Sequence, residues 1–260
     1  MRLAVLRPVD KMEESLKIAS DLGFDTVAAS PLVIVPNDTP DIGRLFDELK
    51  RGSMAYAVLT SSTSVNAILE LARMHDVDVV QLIDRCVTVA IGPATAAAMR
   101  EDSMRVDLIP EEYTSEGVVR MLTSRGVEGK GICLLRSDKG ERILVTGLQD
   151  AGASVMEVPV YRLEPQPEGE ELKNVVQKAL AGEIDAFVFS SAMTAATFID
   201  AAERMGAGDE IIEMLNNRAV VAMGPPTKRK LEAMGVSVTV MPQHATFESM
   251  LAALMKKTDG

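Results

Sequence analysis

The sequence predicts an α/β protein of two similar lobes, each a flavodoxin-like or doubly wound parallel sheet, with a cleft between them. Three observations predict this fold. They are a long internal repeat, an alternation of short apolar runs with amphipathic stretches, and two proline-bounded segments at matching positions in the two halves. Strands that alternate with helices indicate βαβ units and a parallel sheet.

The internal repeat is far longer than a solenoid unit of roughly 20–50 residues. Tyr56–Ser62 returns in looser form as Asp185–Ser191, and the turn Ile91–Thr95 returns as Met223–Thr227. The separation is 129 residues near the start of each half and 132 residues at the turn. The chain is therefore a duplicated, domain-sized unit, and two similar lobes that face each other form a cleft of the kind that binds ligands.

Each half contains five strand candidates and five helix candidates. The predicted strands are Leu3–Leu6, Thr26–Ala29, Ala55–Leu59, Val87–Ile91, Val106–Ile109, Ile132–Leu135, Ser154–Val158, Ala186–Phe189, Ala219–Met223 and Val236–Val240. The predicted helices are Met12–Leu22, Ile42–Leu49, Ser64–Met74, Ala94–Arg100, Ser115–Leu122, Arg142–Asp150, Glu171–Ala181, Ala195–Met205, Lys228–Met234 and Glu248–Leu254. Five such strands in each half are typical of a flavodoxin-like lobe.

Two extended segments interrupt this rhythm, Ser30–Pro36 and Val158–Pro165. Proline disfavours helix both at its own position and at the preceding residue. Each segment follows the first βαβ unit of its half, so we expect the chain to cross between the lobes twice. This predicts one lobe from residues 1–33 and 166–260, a second lobe from 38–158, and a two-stranded connector from 34–37 and 159–165.

The composition excludes several classes of protein. Of the 260 residues, 47% are hydrophobic, which indicates a globular chain, and the formal net charge of −11 opposes nucleic acid or an anionic membrane as a partner. Cys86 and Cys133 lie in apolar runs, which predicts buried, reduced thiols in a cytoplasmic protein. His75 and His244 are expected at the surface. No signal peptide, membrane span, phosphate loop, dinucleotide fingerprint, nucleophile elbow or metal-ligand spacing is present in the sequence.

Four turns that lead from a strand into a helix carry hydroxyl groups or a Gly-Pro pair. Helix capping alone explains such residues. The carboxyl ends of parallel strands, however, are also where open α/β sheets bind ligands, and the free amides of a helix N-terminus attract anions. We therefore expect the turns to bind a ligand with several carboxylates, through Thr60, Ser61, Ser62, Gly92, Thr95, Ser190, Ser191 and Thr227.

The two Gly-Pro turns differ in their backbone donors. Pro225 and Pro226 lack backbone amides, whereas the turn of the first half keeps amides at Ala94 and Thr95. Lys228 follows directly, and we expect its charge to replace the missing amides. A solvated helix face is the alternative.

Three further side chains are candidates for ligand contact. Arg7 and Arg136 end the first strand of each half, and the guanidinium fork suits carboxylates. A surface ion pair is the alternative for both. Tyr161 is one of only three tyrosines and lies in the second proline-bounded segment. Its phenol can donate a hydrogen bond or a proton, or it can be a half-buried connector residue.

Together these features resemble the uroporphyrinogen-III synthase family. The resemblance covers essentially the whole chain as an ordered set, Arg7-Pro8, Leu59–Ser62, Ile91–Thr95, Val160–Leu163, Phe189–Ser191 and Met223–Thr227. It implies two α/β lobes joined by a two-stranded connector. It further implies an enzyme that closes the linear tetrapyrrole hydroxymethylbilane to uroporphyrinogen III, with loss of water and inversion of the last ring, and without metal or organic cofactor.

The resemblance also implies roles for individual residues. The family's connector tyrosine falls on Tyr161, which would be the catalytic residue that assists departure of the hydroxyl group. The family's carboxylate-binding hydroxyls fall on Ser61, Thr95, Ser190 and Thr227. The Gly-Pro-Pro-Thr turn departs from the family pattern, because its first helical positions lack amides. We expect a cytoplasmic monomer that binds hydroxymethylbilane, handed over from hydroxymethylbilane synthase, with no nucleic-acid or membrane partner.

Two other functions fit parts of the sequence. A non-catalytic, cytosolic two-lobed protein that binds a tetrapyrrole or small anion would need the same turns but no chemistry. A nucleotide-using α/β enzyme is the third possibility, and the missing phosphate loop argues against it.

Overall fold

A computed structural model describes residues 1–140 and 142–258. The chain divides into two compact units, which we call lobe 1, Met1–Ile34 with Leu163–Gly260, and lobe 2, Val35–Arg162. Each lobe combines helices with a parallel sheet, so the predicted α/β class with two parallel-sheet lobes is confirmed. Within the described ranges, no helix is long and apolar enough to span a bilayer.

The described part of the chain forms nine strands and twelve α-helices. The strands are β1 (Arg2–Leu6), β2 (Asp25–Ala29), β3 (Leu32–Pro36), β4 (Tyr56–Leu59), β5 (Val87–Ala90), β6 (Gly131–Ser137), β7 (Ser154–Pro165), β8 (Ala186–Phe189) and β9 (Ala219–Ala222). The helices are α1 (Met12–Asp21), α2 (Pro40–Arg51), α3 (Ser62–Met74), α4 (Val79–Ile83), α5 (Pro93–Glu101), α6 (Ser115–Thr123), α7 (Ile143–Asp150), α8 (Glu170–Leu180), α9 (Ala192–Arg204), α10 (Gly208–Asn216), α11 (Pro225–Ala233) and α12 (Phe247–Thr258).

The two sheets share one strand order. Lobe 1 has the order β2-β1-β8-β9, with parallel pairing throughout. Lobe 2 has the order β7-β6-β4-β5, also parallel, and β3 lies outside β7. The order is the one found at the start of flavodoxin-like sheets. Each lobe therefore combines the first two strands of one repeat unit with the last two strands of the other.

The fifth strand of each half is the main error of the sequence prediction. The segments predicted as Val106–Ile109 and Val236–Val240 contribute one isolated bridge each, at Leu108 and at Val240. Side chains share the pairing with the neighbouring strand beside a few backbone bonds. The Thr88 amide donates to Asp107 Oδ2 at 2.9 Å in lobe 2, and the Val220 amide donates to Thr239 Oγ1 at 3.1 Å in lobe 1.

The predicted helices are all present, with ends shifted by a few residues. The sequence does not predict α4 and α10. The first of these has only five residues and follows the N-cap Asp78, whose Oδ1 accepts from the Gln81 amide at 3.1 Å. A helix this short carries too few residues for a readable apolar period.

Burial on both faces of the sheets explains the continuous apolar strands. In β1, Leu3, Ala4, Val5 and Leu6 are all fully buried, as expected for a parallel strand covered by helices on both sides. The helices bury one face each. In α2, four residues at helical spacing are buried, and the left-handed Gly52 at φ 72° ends the helix.

Candidate functional site

The turn after β4 in lobe 2 forms a helix N-cap. Ser61 Oγ accepts from the Ser64 amide at 3.0 Å, and Ser64 Oγ accepts from the Ser61 amide at 3.2 Å. This capping box confirms the structural role of Ser61. The cap uses the acceptor side of the Ser61 hydroxyl, so its proton is still available to a second group.

That second group is the phenol of Tyr161. The Tyr161 hydroxyl oxygen lies 3.4 Å from Ser61 Oγ, a long hydrogen bond that either oxygen can donate. The Tyr161 side chain is buried, with 7% exposure. The structure thus brings together two residues that the sequence predicts separately, one from a helix cap and one from a connector strand 100 residues away.

A second helix N-terminus lies at the end of β5. Gly92 is the N-cap of α5, and Pro93 is its first residue. The amides of Ala94 and Thr95 follow at positions that have no intrahelical acceptor. The Thr95 side chain is almost fully buried. These donors and the positive end of the helix dipole suit an anion.

Tyr113 lies against this turn and was not among the predicted site residues. A Cβ placed on Gly92 would lie 3.2 Å from Tyr113 Cβ, so the turn packs closely under the tyrosine. Tyr113 is 59% exposed, which is unusual for so large an aromatic residue in this chain. The repeat could have singled it out, because the position 132 residues later is Ala245.

Arg136 ends the run of buried residues in β6. It is 4% exposed, and its Nε and Nη1 atoms make no hydrogen bond within the described residues. The nearest carboxylate oxygen is Glu157 Oε1, 3.7 Å from Nη1. A Cβ on Gly140 would lie 1.6 Å from Arg136 Nη2, so a side chain there would displace the guanidinium from this position. A buried guanidinium with unused donors is costly unless an anion supplies the missing bonds.

Lobe 1 repeats the cap after β8. Ser191 Oγ accepts from the Thr194 amide at 3.1 Å, and Thr194 Oγ1 accepts from the Ser191 amide at 3.1 Å. The Ser191 hydroxyl donates to Thr194 Oγ1 at 3.3 Å. The capping box is the same as that of Ser61, but its hydroxyl proton goes to the helix instead of to a phenol.

The residues beside the two caps tie neighbouring strands together. Thr60 Oγ1 donates to the Leu135 carbonyl and Ser190 Oγ donates to the Leu6 carbonyl, both at 3.3 Å. Ser62 is the first residue of α3 and is partly exposed. Bonds of this length are weak, so these hydroxyls can turn towards a ligand at little cost.

The Gly-Pro-Pro turn of lobe 1 begins α11. Gly224 is the N-cap and the two prolines fill the first helical positions, so Thr227 carries the first helical amide. Its side chain is almost fully buried, as in Thr95. Lys228 lies along the helix, with Nζ 3.7 Å from Glu232 Oε1. Its charge therefore faces a carboxylate one turn further along α11.

Arg7 is engaged within lobe 1. Its Nη1 donates to Ser15 Oγ at 2.8 Å, and its guanidinium lies over the Phe247 ring, 5.0 Å from the centroid. Hydrogen bonding and cation–π contact of this kind stabilise the side chain in one place. Arg7 and Arg136 occupy matching positions in the repeat, yet their surroundings differ.

The remaining titratable candidates have structural roles. Burial raises the pKa of Cys86 to about 11 and also raises the pKa of Cys133, so both stay protonated thiols at neutral pH. His75 and His244 are exposed, as predicted, and His75 Nε2 lies 2.8 Å from Asp38 Oδ1. No cluster of three metal-binding side chains occurs in the part of the chain that the structure describes.

Comparison with known protein families gives one match over most of the chain. A family model described as uroporphyrinogen-III synthase HemD matches residues 12–252. A provisionally named uroporphyrinogen-III synthase of Methanothermobacter thermautotrophicus is 29% identical, with 97% of this chain and 96% of the relative covered. The uroporphyrinogen-III synthase of Chlorobaculum parvum is 20% identical, with 96% of each chain covered.

Solved structures support the same fold. A uroporphyrinogen-III synthetase from Helicobacter pylori aligns with a TM-score of 0.56 at 16% identity, covering 99% of this chain and all of the other. A mutant uroporphyrinogen III synthase from Thermus thermophilus aligns with a TM-score of 0.50 at 20% identity, covering 100% and 99%.

Proposed function

Because the chain belongs to the uroporphyrinogen-III synthase family, we propose that it closes hydroxymethylbilane to uroporphyrinogen III. The observation that carries the proposal is the Tyr161 phenol, buried at a bulge of β7 and within 3.4 Å of the Ser61 hydroxyl. The two hydroxyls form a proton donor with a supporting hydrogen bond. The proposal requires no carboxylate, histidine or lysine as an additional acid or base beside them.

The first step is loss of water from the hydroxymethyl group. The Tyr161 phenol gives its proton to the departing hydroxyl, the carbon–oxygen bond breaks, and water leaves. The electron pair of the pyrrole nitrogen stabilises the cation that results, which is the protonated azafulvene. The Ser61 hydroxyl donates to the phenolate oxygen and offsets its charge while the carbon centre is electron-poor.

Ring closure follows from the position of the last pyrrole. Its substituted carbon attacks the azafulvene to give a spirocyclic intermediate, which rearranges to the inverted ring. The pyrrole loses a proton when it becomes aromatic again, and this proton goes to the Tyr161 phenolate. The protein therefore ends unchanged, and one water is lost overall. The uncatalysed closure gives the uninverted isomer, so selectivity requires that the enzyme orient the last ring.

Orientation requires that the ligand's carboxylates be held. In lobe 2, the amides of Ala94 and Thr95, the buried guanidinium of Arg136 and the hydroxyl of Ser61 are the groups that support this role. They supply neutral donors and one buried cation on a chain whose net charge is −11. Local donors of this kind can bind a polyanion on an acidic protein, because their hydrogen bonds act over a short range.

The experiment supplies freshly generated hydroxymethylbilane to the purified protein and separates the isomers formed. Isomer III, formed faster than the buffer control closes the substrate, supports the proposal. Isomer I at the spontaneous rate contradicts it and favours a protein that binds tetrapyrroles or small anions without chemistry. Tight binding of substrate with only isomer I would identify that second function directly.

The finer parts of the proposal concern the cellular setting. We propose a cytoplasmic monomer that takes its substrate from hydroxymethylbilane synthase. The acidic charge opposes binding to anionic surfaces, and the two buried thiols suit a reducing compartment. Sedimentation of the purified protein, alone and with that synthase, distinguishes a monomer from a stable complex.

A further inference from the structure

We propose that Asn37 is a positioning residue for Tyr161. The inference rests on the proposed role of Tyr161 and assigns a second residue to the same step. Asn37 follows β3 directly and is half-buried. It binds residues of β7 on both sides of Tyr161, whereas the phenol of Tyr161 contacts Ser61.

The strand that carries Tyr161 is irregular at this point. Arg136 of β6 pairs with Pro159, whereas Ser137 pairs with Tyr161, so Val160 is an additional residue in β7. The Asp138 amide restores pairing by donating to the Tyr161 carbonyl at 3.1 Å. A bulge of this kind redirects the side chain that follows it, and it also weakens the local ladder.

Asn37 supplies the bonds on the other side of the bulge. Its backbone amide donates to the Val160 carbonyl at 2.9 Å, and its Nδ2 donates to the Pro159 carbonyl at 2.8 Å. Its Oδ1 accepts from Arg162 Nη1 at 3.1 Å. One side chain thus binds the residues two before and one after Tyr161, and both bonds have good length.

The internal repeat provides a built-in comparison. The matching residue in the other half is Gln166, whose backbone amide donates to the Pro31 carbonyl at 2.9 Å. The backbone bond is therefore common to both halves. The Gln166 side chain is exposed, and the residue that matches Tyr161 is Leu32. The side-chain clasp accompanies the tyrosine and is missing, within the described residues, where an aliphatic residue stands.

The physical role of the clasp is to restrict Tyr161 to one backbone geometry. A proton donor must lie within hydrogen-bond reach of the oxygen that leaves, and a displacement of about 1 Å can cost on the order of a hundredfold in rate. The bulge leaves Val160 without a partner in β6. Asn37 holds both carbonyls at once.

The test measures three single variants, Asn37→Ala, Asn37→Asp and Tyr161→Phe. It also measures a double variant that combines Asn37→Ala and Tyr161→Phe. The Asp side chain keeps an acceptor for Arg162 but cannot donate to the Pro159 carbonyl. We expect both Asn37 variants to lower kcat for isomer III by roughly three- to tenfold, with KM changed less than about twofold. We expect the double variant to be no slower than Tyr161→Phe.

A matched control is Asn216→Ala in lobe 1. The Asn216 side chain likewise makes two hydrogen bonds, both to backbone groups, donating to the Gly235 carbonyl at 2.9 Å and accepting from the Ser237 amide at 2.7 Å. It ends α10, just before the amino end of β9. We expect Asn216→Ala to lower the melting temperature about as much as Asn37→Ala does, but to leave kcat unchanged.

The outcomes separate the two proposals. Normal kcat in both Asn37 variants, beside a slow Tyr161→Phe, overturns the role of Asn37 and leaves Tyr161 in place. A double variant slower than Tyr161→Phe by the full Asn37→Ala factor shows that Asn37 acts independently and likewise overturns the inference. Normal kcat in Tyr161→Phe overturns both proposals together.

Discussion

The carboxyl edges of the two sheets have the same scaffold and different chemistry. Both carry a serine-capped helix and a Gly-Pro helix start, and the caps agree bond for bond. In lobe 2 the serine hydroxyl faces Tyr161, and in lobe 1 the equivalent hydroxyl faces Thr194 of its own helix. The capping bonds therefore account for the shared shape of the two turns. The group that the serine hydroxyl contacts, Tyr161 or Thr194, is what distinguishes them.

The two arginines extend this comparison. Arg7 donates to Ser15 and lies over the Phe247 ring, whereas Arg136 is more deeply buried and has two nitrogens, Nε and Nη1, that make no hydrogen bond within the described residues. The Gly-Pro starts differ in the same direction, because Ala94 of lobe 2 keeps an amide where lobe 1 has its second proline, Pro226. We therefore propose that the chemistry and the stronger anion contacts belong to lobe 2.

The largest expected effect comes from Tyr161→Phe. Removal of the phenolic proton should lower kcat for isomer III by about ten- to a hundredfold, as for a general acid of modest weight. Tyr56→Phe is the matched control, since Tyr56 is buried at the amino end of β4 in the same lobe. Steady-state kinetics should find that control within about twofold of the wild type. A wild-type rate in Tyr161→Phe would remove the phenol from the mechanism.

The next effect contrasts the two arginines through Arg136→Met and Arg7→Met. The first should raise KM by roughly tenfold, the value of a charge-assisted hydrogen bond, while the melting temperature stays level or rises, because a costly buried charge is gone. The second should lower the melting temperature, because it removes the bond to Ser15. Equal loss of stability in both variants with no change in KM would show that Arg136 is only structural.

A reciprocal exchange tests the Gly-Pro starts. Ala94→Pro gives α5 the Pro-Pro pair of α11, and Pro226→Ala gives α11 an added amide. A helix N-terminus favours a nearby anion by about 0.3–1 kcal/mol, so KM should rise roughly two- to fivefold in the first variant and should not rise in the second. Unfolding curves provide the control for strain. An unchanged KM in Ala94→Pro would contradict anion binding at this turn.

The smallest effect is expected from Lys228→Ala. Its ammonium is exposed and lies near Glu232 on the same helix, so it contributes little to a ligand at the N-terminus. KM should change less than about twofold. A tenfold increase would restore the expectation that this side chain replaces the missing amides.

Much of the fold follows from the sequence because its signals are local. Continuous apolar strands, helical spacing and the repeat predict the sheets and ten of the helices. The fifth strands are wrong because each segment contributes one bridge, and Asp107 and Thr239 bind the neighbouring strand through side chain as well as backbone, which a pattern of apolar residues does not show. The short α4 lies below the length at which periodicity can be read.

The candidate site is predicted only in part for the same reason. Ser61 and Tyr161 can be singled out by turn position and by rarity, but their contact depends on a bulge in β7 that no residue pattern announces. Asn37 and Tyr113 are missed because each acts through a tertiary contact. Comparison of the repeat units supplies the one available signal, since Tyr113 and Tyr161 stand where the other half has Ala245 and Leu32.

The most direct test of the contrast between the lobes is the kcat of Ser61→Ala relative to Ser191→Ala in the isomer III assay. Both substitutions remove the same capping bond, so both should lose about 1 kcal/mol of stability. Only Ser61 reaches Tyr161, and loss of that hydrogen bond should make Ser61→Ala slower than Ser191→Ala by roughly two- to tenfold. Equal kcat values in the two variants would contradict the assignment of the chemistry to lobe 2.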